Sequence, residues 1–231
     1  MGLATFDCLE AFKRTVTVCF AETRADLLEA QRLRHQVFCE EHTILDSKDG
    51  IEADQFDGRA RHVILRKRGG EVVGTARLVP CDLDRPFNSF PMQLVCPAET
   101  FIGLPITTTG EISRFSISRQ RRDPGDHGDH LLQLGLMRGI LQLSREMGVT
   151  HWCAAMELSL LRLLRYASIR FQPIGAPIDY RGLRQPAVAR ISDVLERGHQ
   201  ERPAFWDYVT DGGRLHPAFA APAGERVSMA A

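Results

Sequence analysis

The sequence Glu111-Ile-Ser-Arg-Phe-Ser-Ile-Ser118, together with the amphipathic stretch at 129–147, decides the fold. The first segment sets Ile112 and Ile117 among polar residues, which predicts a β-strand. The second segment predicts a helix, since its apolar residues recur on one helix face, at Leu132, Leu136, Ile140 and Leu143. Gly148 is suited to end that helix, and the short apolar segment at 150–155 predicts a further strand.

Three strands and a helix are predicted upstream of this core. Residues 15–20 are rich in β-branched side chains, and residues 61–68 and 71–80 flank Gly69-Gly70, which is a strong hairpin signal. The remaining upstream segments are a helix over 25–41, a loop over 42–60 and an irregular, proline-containing excursion over 81–109.

The downstream segments complete the predicted order. They are a Leu-rich helix at 157–166, short strands at 171–174 and 178–181, and a helix at 186–196. Three consecutive strands followed by alternating helices and strands predict an α/β (α+β) fold, with a mixed sheet and helices on both faces. We expect one domain over residues 1–216, followed by a mobile tail over 217–231 that is rich in Ala, Pro and Gly.

Composition excludes several broad classes of protein. The 231 residues include 29 basic and 29 acidic side chains and are 44% hydrophobic, which argues against disorder and against nucleic-acid binding over the whole surface. The chain has no run of about 18 apolar residues and carries Asp7 and Glu10 near its start, so we expect no transmembrane segment, no export signal and a cytoplasmic location. The six cysteines and eight histidines lack metal-site spacing, so we expect neither a disulfide framework nor a metal.

Several motifs, in order along the chain, resemble one group of acyltransferases. They are Arg32-Leu-Arg-His-Gln-Val-Phe-Cys-Glu40, Glu52-Ala-Asp-Gln-Phe-Asp57, Gly74-Thr-Ala-Arg-Leu-Val-Pro80, Gly110-Glu-Ile-Ser-Arg-Phe115, His151-Trp-Cys-Ala-Ala-Met-Glu157, Leu160-Leu-Arg-Leu-Leu164 and Gly175-Ala-Pro-Ile-Asp-Tyr-Arg-Gly182. The set resembles the acyl-homoserine-lactone (autoinducer) synthases and, more closely, the long-chain N-acyl amino acid synthases. It resembles most closely the acyltransferases associated with the PEP-CTERM/exosortase system.

This resemblance implies a fold and an activity. The fold would be of GNAT type, with a mostly antiparallel central sheet. The activity would be direct transfer of a long-chain fatty acyl group from acyl carrier protein or acyl-CoA to the amine of an amino acid or similar small molecule. No permanently bound cofactor and no metal are implied. Acyl carrier protein is the expected protein partner, and a homodimer is a further expectation.

Two departures from the family pattern bear on the product and the donor. Autoinducer synthases carry a Trp six residues after the helix Phe, where this chain has Ile44, and this argues against a homoserine lactone product. Acetyl-CoA-dependent members carry a glycine-rich motif before the long helix. The corresponding stretch, Arg122-Asp-Pro-Gly-Asp-His-Gly128, is one residue wider, which argues against free acetyl-CoA as donor.

Glu111 is the candidate general base for such a transfer, because the acceptor amine must lose a proton and a partly buried carboxyl group has a raised pKa. The alternative is a purely structural pairing of Glu111 with an arginine. Arg114 is the candidate clamp for an acceptor carboxylate, with Arg34 and Arg77 as alternatives. Glu111 and Arg114 are three residues apart, so a regular strand would point them to opposite faces and only a bulge would bring both to the site.

The loop after the first predicted helix supplies further acceptor-site candidates. The resemblance implies that Asp54 and Asp57 order this loop over the acceptor pocket by pairing with Arg34 or Arg77, and that Phe38 lines the pocket. The plain alternative for two loop carboxylates is a turn or a helix cap.

The donor site is assigned to the segment after Glu111. We expect a backbone N–H of Phe115, Ser116 or Ile117 to stabilise the oxyanion. Arg119, Arg121 and Arg122 precede a helix N-terminus and suit a pantetheine phosphate or an acidic carrier protein, although they also suit a solvated basic loop.

Trp152, Met156 and Leu160 are the acyl-pocket candidates, and each of them also suits a plain core position.

Three other activities remain open from the sequence. One is an autoinducer synthase that uses S-adenosylmethionine as acceptor and closes a lactone. A second is a non-catalytic acyl- or carrier-binding module that keeps the fold. The third is a covalent mechanism at Cys153, two residues from His151, although buried structural thiols are inert.

Overall fold

The computed structural model of this chain describes residues 3–121 and 128–216. The predicted tail at 217–231 and Arg122 lie outside the described residues. The helices are α1 (Leu3–Thr15), α2 (Arg24–His35), α3 (Gly128–Glu146), α4 (Leu158–Tyr166), α5 (Ile191–Glu201) and α6 (Pro203–Thr210). The strands are β1 (Val16–Phe20), β2 (Arg61–Lys67), β3 (Val72–Pro80), β4 (Thr109–Ile117), β5 (His151–Met156), β6 (Gln172–Pro173), β7 (Ile178–Asp179) and β8 (Leu183–Arg190).

The strands form one mixed sheet. Its order is β1-β2-β3-β4-β5-β8-β6, and β7 pairs with β8. Only the β4–β5 pairing is parallel among the described strands. Strand β2 shows why helices cover both faces, since Val63 and Leu65 pack into the core with α1 and α3, whereas Ile64 packs on the other side with α2. The predicted mixed, mostly antiparallel sheet with helices on both faces is confirmed.

Helix α3 lies unusually close to β2. A Cβ atom at Gly139 would stand 2.3 Å from Val63 Cγ1, and one at Gly135 would stand 3.1 Å from Leu65 Cδ2. Glycine at these positions lets the helix backbone approach the sheet, and the buried Leu136 and Ile140 fill the space beside it. The long helix is therefore held tightly where it crosses from β4 to β5.

The parallel pair β4–β5 diverges after three residues. Thr109, Gly110 and Glu111 pair with His151, Trp152 and Cys153, and no pairing continues beyond Glu111. Strand β4 runs on to Ile117 and β5 runs on to Met156, so the two strands open a wedge in the middle of the sheet. This opening creates the cleft described below.

Helix α2 is joined to the far end of β4 by polar contacts. It begins with a capping box between Thr23 and Asp26 and continues past His35 as a π-helical turn, Gln36–Glu41, as the predicted helix over 25–41 anticipated. The Glu41 carboxylate accepts hydrogen bonds from Ser118 Oγ at 2.6 Å and from the Arg119 N–H at 2.8 Å. These contacts hold the π-helical turn against the open end of β4.

The C-terminal part of the prediction needs correction. The helix expected at 186–196 is wrong, because Leu183–Arg190 is strand β8 and the helix begins only at Ile191. The buried Ala187 and Ala189 show the period of a strand paired with β5, and that pairing supplies partners for their backbone groups. Helices α1 and α6 were not predicted, and α6 places the buried Tyr208 in the main core.

The excursion at 81–109 contains four short 3₁₀ turns and packs over one end of the sheet. Its buried Phe90, Met92 and Phe101 surround Cys153 of β5. The excursion therefore closes the floor of the cleft next to Glu111.

No helix among the described residues is long and apolar enough to cross a membrane.

Candidate active site

A cleft of about 550 Å³ opens where β4 and β5 diverge. Its walls are mainly apolar and come from the π-helical turn and the loop after it, the excursion, β4, α3, the end of β5, α4, and the turn between β7 and β8 with the start of β8. They include Val37, Phe38, Ile44, Leu45, Met92, Val95, Ile112, Phe115, Ile117, Met156, Leu160 and Leu163. Such a cavity suits a long apolar chain whose polar end lies beside β4.

Glu111 is the buried carboxyl group in the wall of this cleft. It is 3% exposed, and its Oε2 accepts a hydrogen bond from the Met92 N–H at 2.8 Å. Burial raises the pKa of Glu111 to about 7, although this hydrogen bond and two nearby arginines act in the opposite direction. A carboxyl group in this state exchanges a proton near neutral pH, as a general base must.

Strand β4 bulges between Glu111 and the donor end of the cleft. Arg77 pairs with Ser113 and Thr75 pairs with Ser116, so two residues of β4 stand opposite one residue of β3. Arg114, one of the extra residues, has a φ of +53°, which is rare for a residue other than glycine. Glu111 and Arg114 consequently both line the cleft, as the bulge hypothesis required.

The three candidate arginines form a buried network with three carboxylates. Arg34 binds Asp57 through two hydrogen bonds of 2.9 and 2.7 Å. It also contacts Glu52, through Oε2 at 2.7 Å from its Nε and through the Glu52 carbonyl oxygen. Sequence reasoning assigned no role to Glu52, although it begins the motif that contains Asp54 and Asp57.

Arg77 and Arg114 share Asp54. Arg77 Nη1 lies 2.6 Å from Oδ1 of both Asp54 and Asp57, and its Nη2 lies 2.7 Å from Asp54 Oδ2. Arg114 donates to Glu52 Oε1 at 2.9 Å and to Asp54 Oδ2 at 2.9 Å. Three positive and three negative charges thus balance beneath the loop at 42–60, and the predicted pairing of both aspartates with arginines is present.

The electrostatics of the network keep its two aspartates ionised. Burial acts to raise the pKa of Asp57, but hydrogen bonds and charge from Arg34 outweigh it and hold the pKa far below its usual range. Asp54 shows the same balance with Arg77, and its pKa is lowered. Beside Asp57, burial lowers the pKa of His62 to about 4, so that imidazole is neutral at pH 7.

Arg34 and Arg77 were alternatives for an acceptor-carboxylate clamp, and the structure argues against that role. Both side chains are fully buried and neither lines the cleft. Their guanidinium groups are already bound by carboxylates, so a substrate would have to displace a buried ion pair. Arg114 does line the cleft, while its Nε and Nη2 bind Glu52 and Asp54.

The backbone of β4 supplies a candidate oxyanion donor. The Ser118 N–H donates to the Val73 carbonyl at 3.0 Å, and Ser116 pairs with Thr75 two residues earlier. In an antiparallel ladder the residue between two such pairs points its N–H away from the partner strand. The Ile117 N–H therefore faces the gap between β4 and β5, on the side that the cleft occupies.

The acyl-pocket candidates divide into two groups. Met156 and Leu160 line the cleft, as does Phe38 from the π-helical turn. Trp152 does not line the cleft, which corrects its assignment to the acyl pocket. Its side chain is 1% exposed and packs in the main core, where Nε1 donates to Ser144 Oγ of α3 at 2.8 Å.

The basic candidates before α3 also divide. Arg119 lines the cleft and is exposed. Arg121 does not line it, because Nε donates to Gln36 Oε1 at 2.7 Å and Nη1 to the Val72 carbonyl at 2.9 Å. Arg121 thus ties α2 to β3, which corrects its assignment to phosphate binding, and Arg122 lies outside the described residues.

Cys153 does not have the surroundings of a nucleophile. Its side chain is completely buried, and burial raises its pKa well above that of a free thiol, with the nearby Glu111 carboxylate adding to the effect. Across residues 3–121 and 128–216, the structure shows no cluster of three or more His, Cys, Asp or Glu side chains arranged to hold a metal.

Sequence reasoning missed the far rim of the cleft. Glu157, Tyr180, Arg181 and Arg184 all line it. Two of the motifs quoted above contain Glu157, Tyr180 and Arg181, so the resemblance carried a signal for them. That signal assigned no role to the individual residues.

Comparison with known proteins shows which family and which solved structures the chain is similar to. Residues 33–126 match the acetyltransferase (GNAT) domain family. No curated protein sequence matches the chain. The association with PEP-CTERM/exosortase systems, implied by the motifs, stays a prediction.

Three of the solved structures that are similar to the chain illustrate the likeness. The acyl-homoserine lactone synthase LasI is 21% identical, with 75% of this chain and 88% of that chain covered and a TM-score of 0.58. The CoA-dependent acyl-homoserine lactone synthase BjaI, solved with SAM and isopentyl-CoA, is 26% identical, with 87% and 89% covered and a TM-score of 0.57. An acyl-CoA N-acyltransferase from Pseudomonas aeruginosa is 17% identical, with 76% and 99% covered and a TM-score of 0.51. Residues 33–126 are therefore similar to the acetyltransferase (GNAT) domain family, and the chain has the fold of the acyl-homoserine lactone synthases.

Proposed function

We propose that this protein is an N-acyltransferase that moves a fatty acyl group from a thioester donor to the amine of an amino acid or similar small molecule. One observation carries the proposal. Glu111, a buried carboxyl group whose pKa is raised to about 7, lies in the wall of an apolar cleft between two diverging strands. A proton acceptor beside an apolar cavity is what transfer of a fatty acyl group to an amine requires.

The proposed reaction is direct transfer without a covalent enzyme intermediate. The amine nitrogen attacks the thioester carbonyl carbon, and Glu111 takes the proton that the nitrogen loses. Glu111 and Ile117 are six residues apart on β4, so intervening water carries this proton to Glu111 while the Ile117 N–H stabilises the oxyanion. The C–S bond then breaks, and the leaving thiolate takes a proton back from the same water and departs as the thiol. The apolar wall that includes Phe38, Met156 and Leu160 holds the acyl chain.

The donor is acyl carrier protein or acyl-CoA, and both present a phosphopantetheine thioester. Support comes from BjaI, which was solved with isopentyl-CoA. Arg119, which follows β4 and lines the cleft, is the proposed contact for the phosphate of this arm.

The proposal is tested by mass spectrometry of lipid extracts from cells that express the wild type, Glu111→Gln or Glu99→Gln. Glu99 is exposed on the excursion and serves as a matched control. A new N-acyl amino acid in the wild type and the Glu99 variant, but not in the Glu111 variant, supports the proposal and identifies the acyl length and acceptor. Purified protein that fails to acylate any amine from defined acyl-carrier-protein and acyl-CoA donors contradicts it. Retained binding of acyl carrier protein would then indicate a non-catalytic module.

An autoinducer synthase is the second candidate, and the likeness to BjaI and LasI favours it. Such an enzyme would release methylthioadenosine from S-adenosylmethionine as the lactone closes. Ile44 lines the cleft where the resemblance leads one to expect Trp, which argues for the N-acyl amino acid product. Methylthioadenosine release with S-adenosylmethionine as acceptor would reverse this order of preference.

A further inference from the structure

Two arginines on the cleft wall have no carboxylate partner among the described residues. The network of Glu52, Asp54 and Asp57 occupies the arginines beneath the loop, and Arg184 pairs with Glu157 at 2.7 Å. Arg119 and Arg181 line the cleft, are exposed and form no ion pair within residues 3–121 and 128–216. A cleft-lining arginine without a protein partner is available to bind an anionic part of a substrate.

The two cations lie on different elements and suit two different anions. Arg119 follows β4 and stands before α3, which is where the donor phosphate is proposed to bind. Arg181 belongs to the tight turn between β7 and β8 and stands with Glu157, at the start of α4, on the rim of the cleft.

The turn that carries Arg181 is rigidly held. Arg184 Nη2 donates to the Arg181 carbonyl at 2.9 Å and Arg184 Nε to the Tyr180 carbonyl at 3.3 Å, while Arg184 Nη1 binds Glu157. Arg181 itself has a φ of +54°, a conformation that costs energy for an arginine, and its guanidinium lies 5.2 Å from the centre of the Tyr180 ring. The bracing fixes the backbone of this turn at the rim of the cleft, and the guanidinium stacks there on the Tyr180 ring.

We propose that Arg181 binds the carboxylate of the acceptor, and so selects amino acids over simple amines. This inference rests on the proposed function and assigns its acceptor a chemical class. It also replaces the assignment of carboxylate binding to Arg114, with Arg34 and Arg77 as alternatives, because all three are already bound by carboxylates of the network. Arg184 and Glu157 are positioning residues in this scheme, because they act by holding the turn.

Direct binding tests the inference without requiring turnover. N-dodecanoylglycine, a product analogue, and its methyl ester, which lacks the negative charge, are titrated into the full chain by calorimetry. The variants are Arg181→Asn, Arg181→Lys and the control Arg162→Ala. Asparagine tolerates a positive φ, so the turn is expected to keep its conformation. Arg162 is an exposed α4 arginine that does not line the cleft.

The expected result is a preference of about tenfold for the acid over the ester in the wild type and in Arg162→Ala, as for one charge-assisted contact at a partly solvated site. Arg181→Asn should bind both compounds equally, and Arg181→Lys should keep part of the preference. An unchanged acid-to-ester ratio in Arg181→Asn overturns the inference. The inference is also overturned if Arg181→Asn weakens binding of phosphopantetheine instead, because the anion bound by Arg181 would then be the phosphate of the donor.

A separate turnover assay distinguishes this failure from failure of the proposed function. If the wild type acylates glycine and glycine methyl ester equally well, the enzyme is active but Arg181 does not select the acceptor. If the acid analogue binds through Arg181 and no amine is acylated, the carboxylate site is present and the proposed reaction is wrong.

Discussion

Replacing Glu111 by glutamine separates a catalytic carboxyl group from a structural one. The amide keeps the shape of the side chain and an oxygen that accepts the Met92 hydrogen bond, so the fold should persist. The substitution removes the group that takes the proton. A drop in kcat/KM of about 10²–10⁴-fold is expected from the loss of a general base.

The pH dependence follows from the raised pKa of Glu111. Only the ionised carboxylate accepts a proton, so wild-type kcat/KM should fall as the pH drops through about 7. The glutamine variant should lack this inflection. A continuous assay of free thiol from an acyl-CoA or acyl-phosphopantetheine donor, run from pH 5.5 to 9 in steps of about half a unit, measures both profiles.

The same pKa predicts an effect on stability with a defined sign. The folded-state pKa of about 7 lies above the usual 4.5, so the folded state binds the proton more tightly than the unfolded state. The stability this group contributes is therefore present below pH 4.5 and is lost as the pH rises through about 7. The difference corresponds to about 3 kcal/mol of unfolding free energy at high pH.

Urea unfolding at pH 5 and pH 8.5 measures this difference. Glutamine has no charge to bury, so Glu111→Gln should become more stable relative to the wild type between the two pH values, by about 3 kcal/mol. Glu99→Gln, an exposed change of the same kind, should show no such trend. An active Glu111→Gln enzyme with the wild-type pH profile would refute the assignment of the base. An unchanged difference in stability would refute the raised pKa.

Three further predictions concern the donor, the acyl chain and the core. Arg119→Ala should raise KM for phosphopantetheine thioesters about fivefold. KM for acyl-N-acetylcysteamine, which has no phosphate, should stay unchanged. Added salt should raise the wild-type KM for phosphopantetheine thioesters in the same way. Leu160→Trp narrows the cleft, so mass spectrometry should show products with shorter acyl chains and about a tenfold loss of activity toward long-chain donors. Leu158→Trp lies outside the cleft lining and should keep the wild-type distribution of chain lengths. Gly139→Ala should cost about 1–3 kcal/mol in urea unfolding, because its Cβ would meet a β2 side chain at 2.3 Å; Gly58→Ala, with no atom within 4 Å of its Cβ, should cost little, and equal losses in the two would contradict the packing argument.

Local pattern was enough to predict most elements of the sheet and the long helix. Strands β2, β3 and β4 and helix α3 lie within a few residues of their predicted bounds. The apolar segments on either side of Gly69-Gly70 mark strands that are buried on both faces, and the apolar stripe of α3 shows the helical period of 3.6. The same local information fails at Leu183–Arg190, which was predicted as the start of a helix. Its small buried residues become a strand only because β5 lies beside it.

The candidate site depended more on tertiary structure. The sequence pointed to Glu111, Arg114 and the two aspartates through motifs that resemble those of a known group of acyltransferases. It did not show that Glu52 joins them, because Glu52 and Arg114 are 62 positions apart and meet only in the folded chain. It likewise placed Trp152 in the acyl pocket, where the structure shows it bound to Ser144 in the core.

The sequence by itself determined the mixed sheet, its central strands and the long helix. These follow from residue type and spacing, which are local properties of the chain. The tertiary structure alone decided that β4 bulges at Arg114, that Arg34 and Arg77 are neutralised, and that Arg181 faces the cleft. Burial and charge pairing depend on residues far apart in the chain, so only packing sets which arginines remain free to bind a substrate.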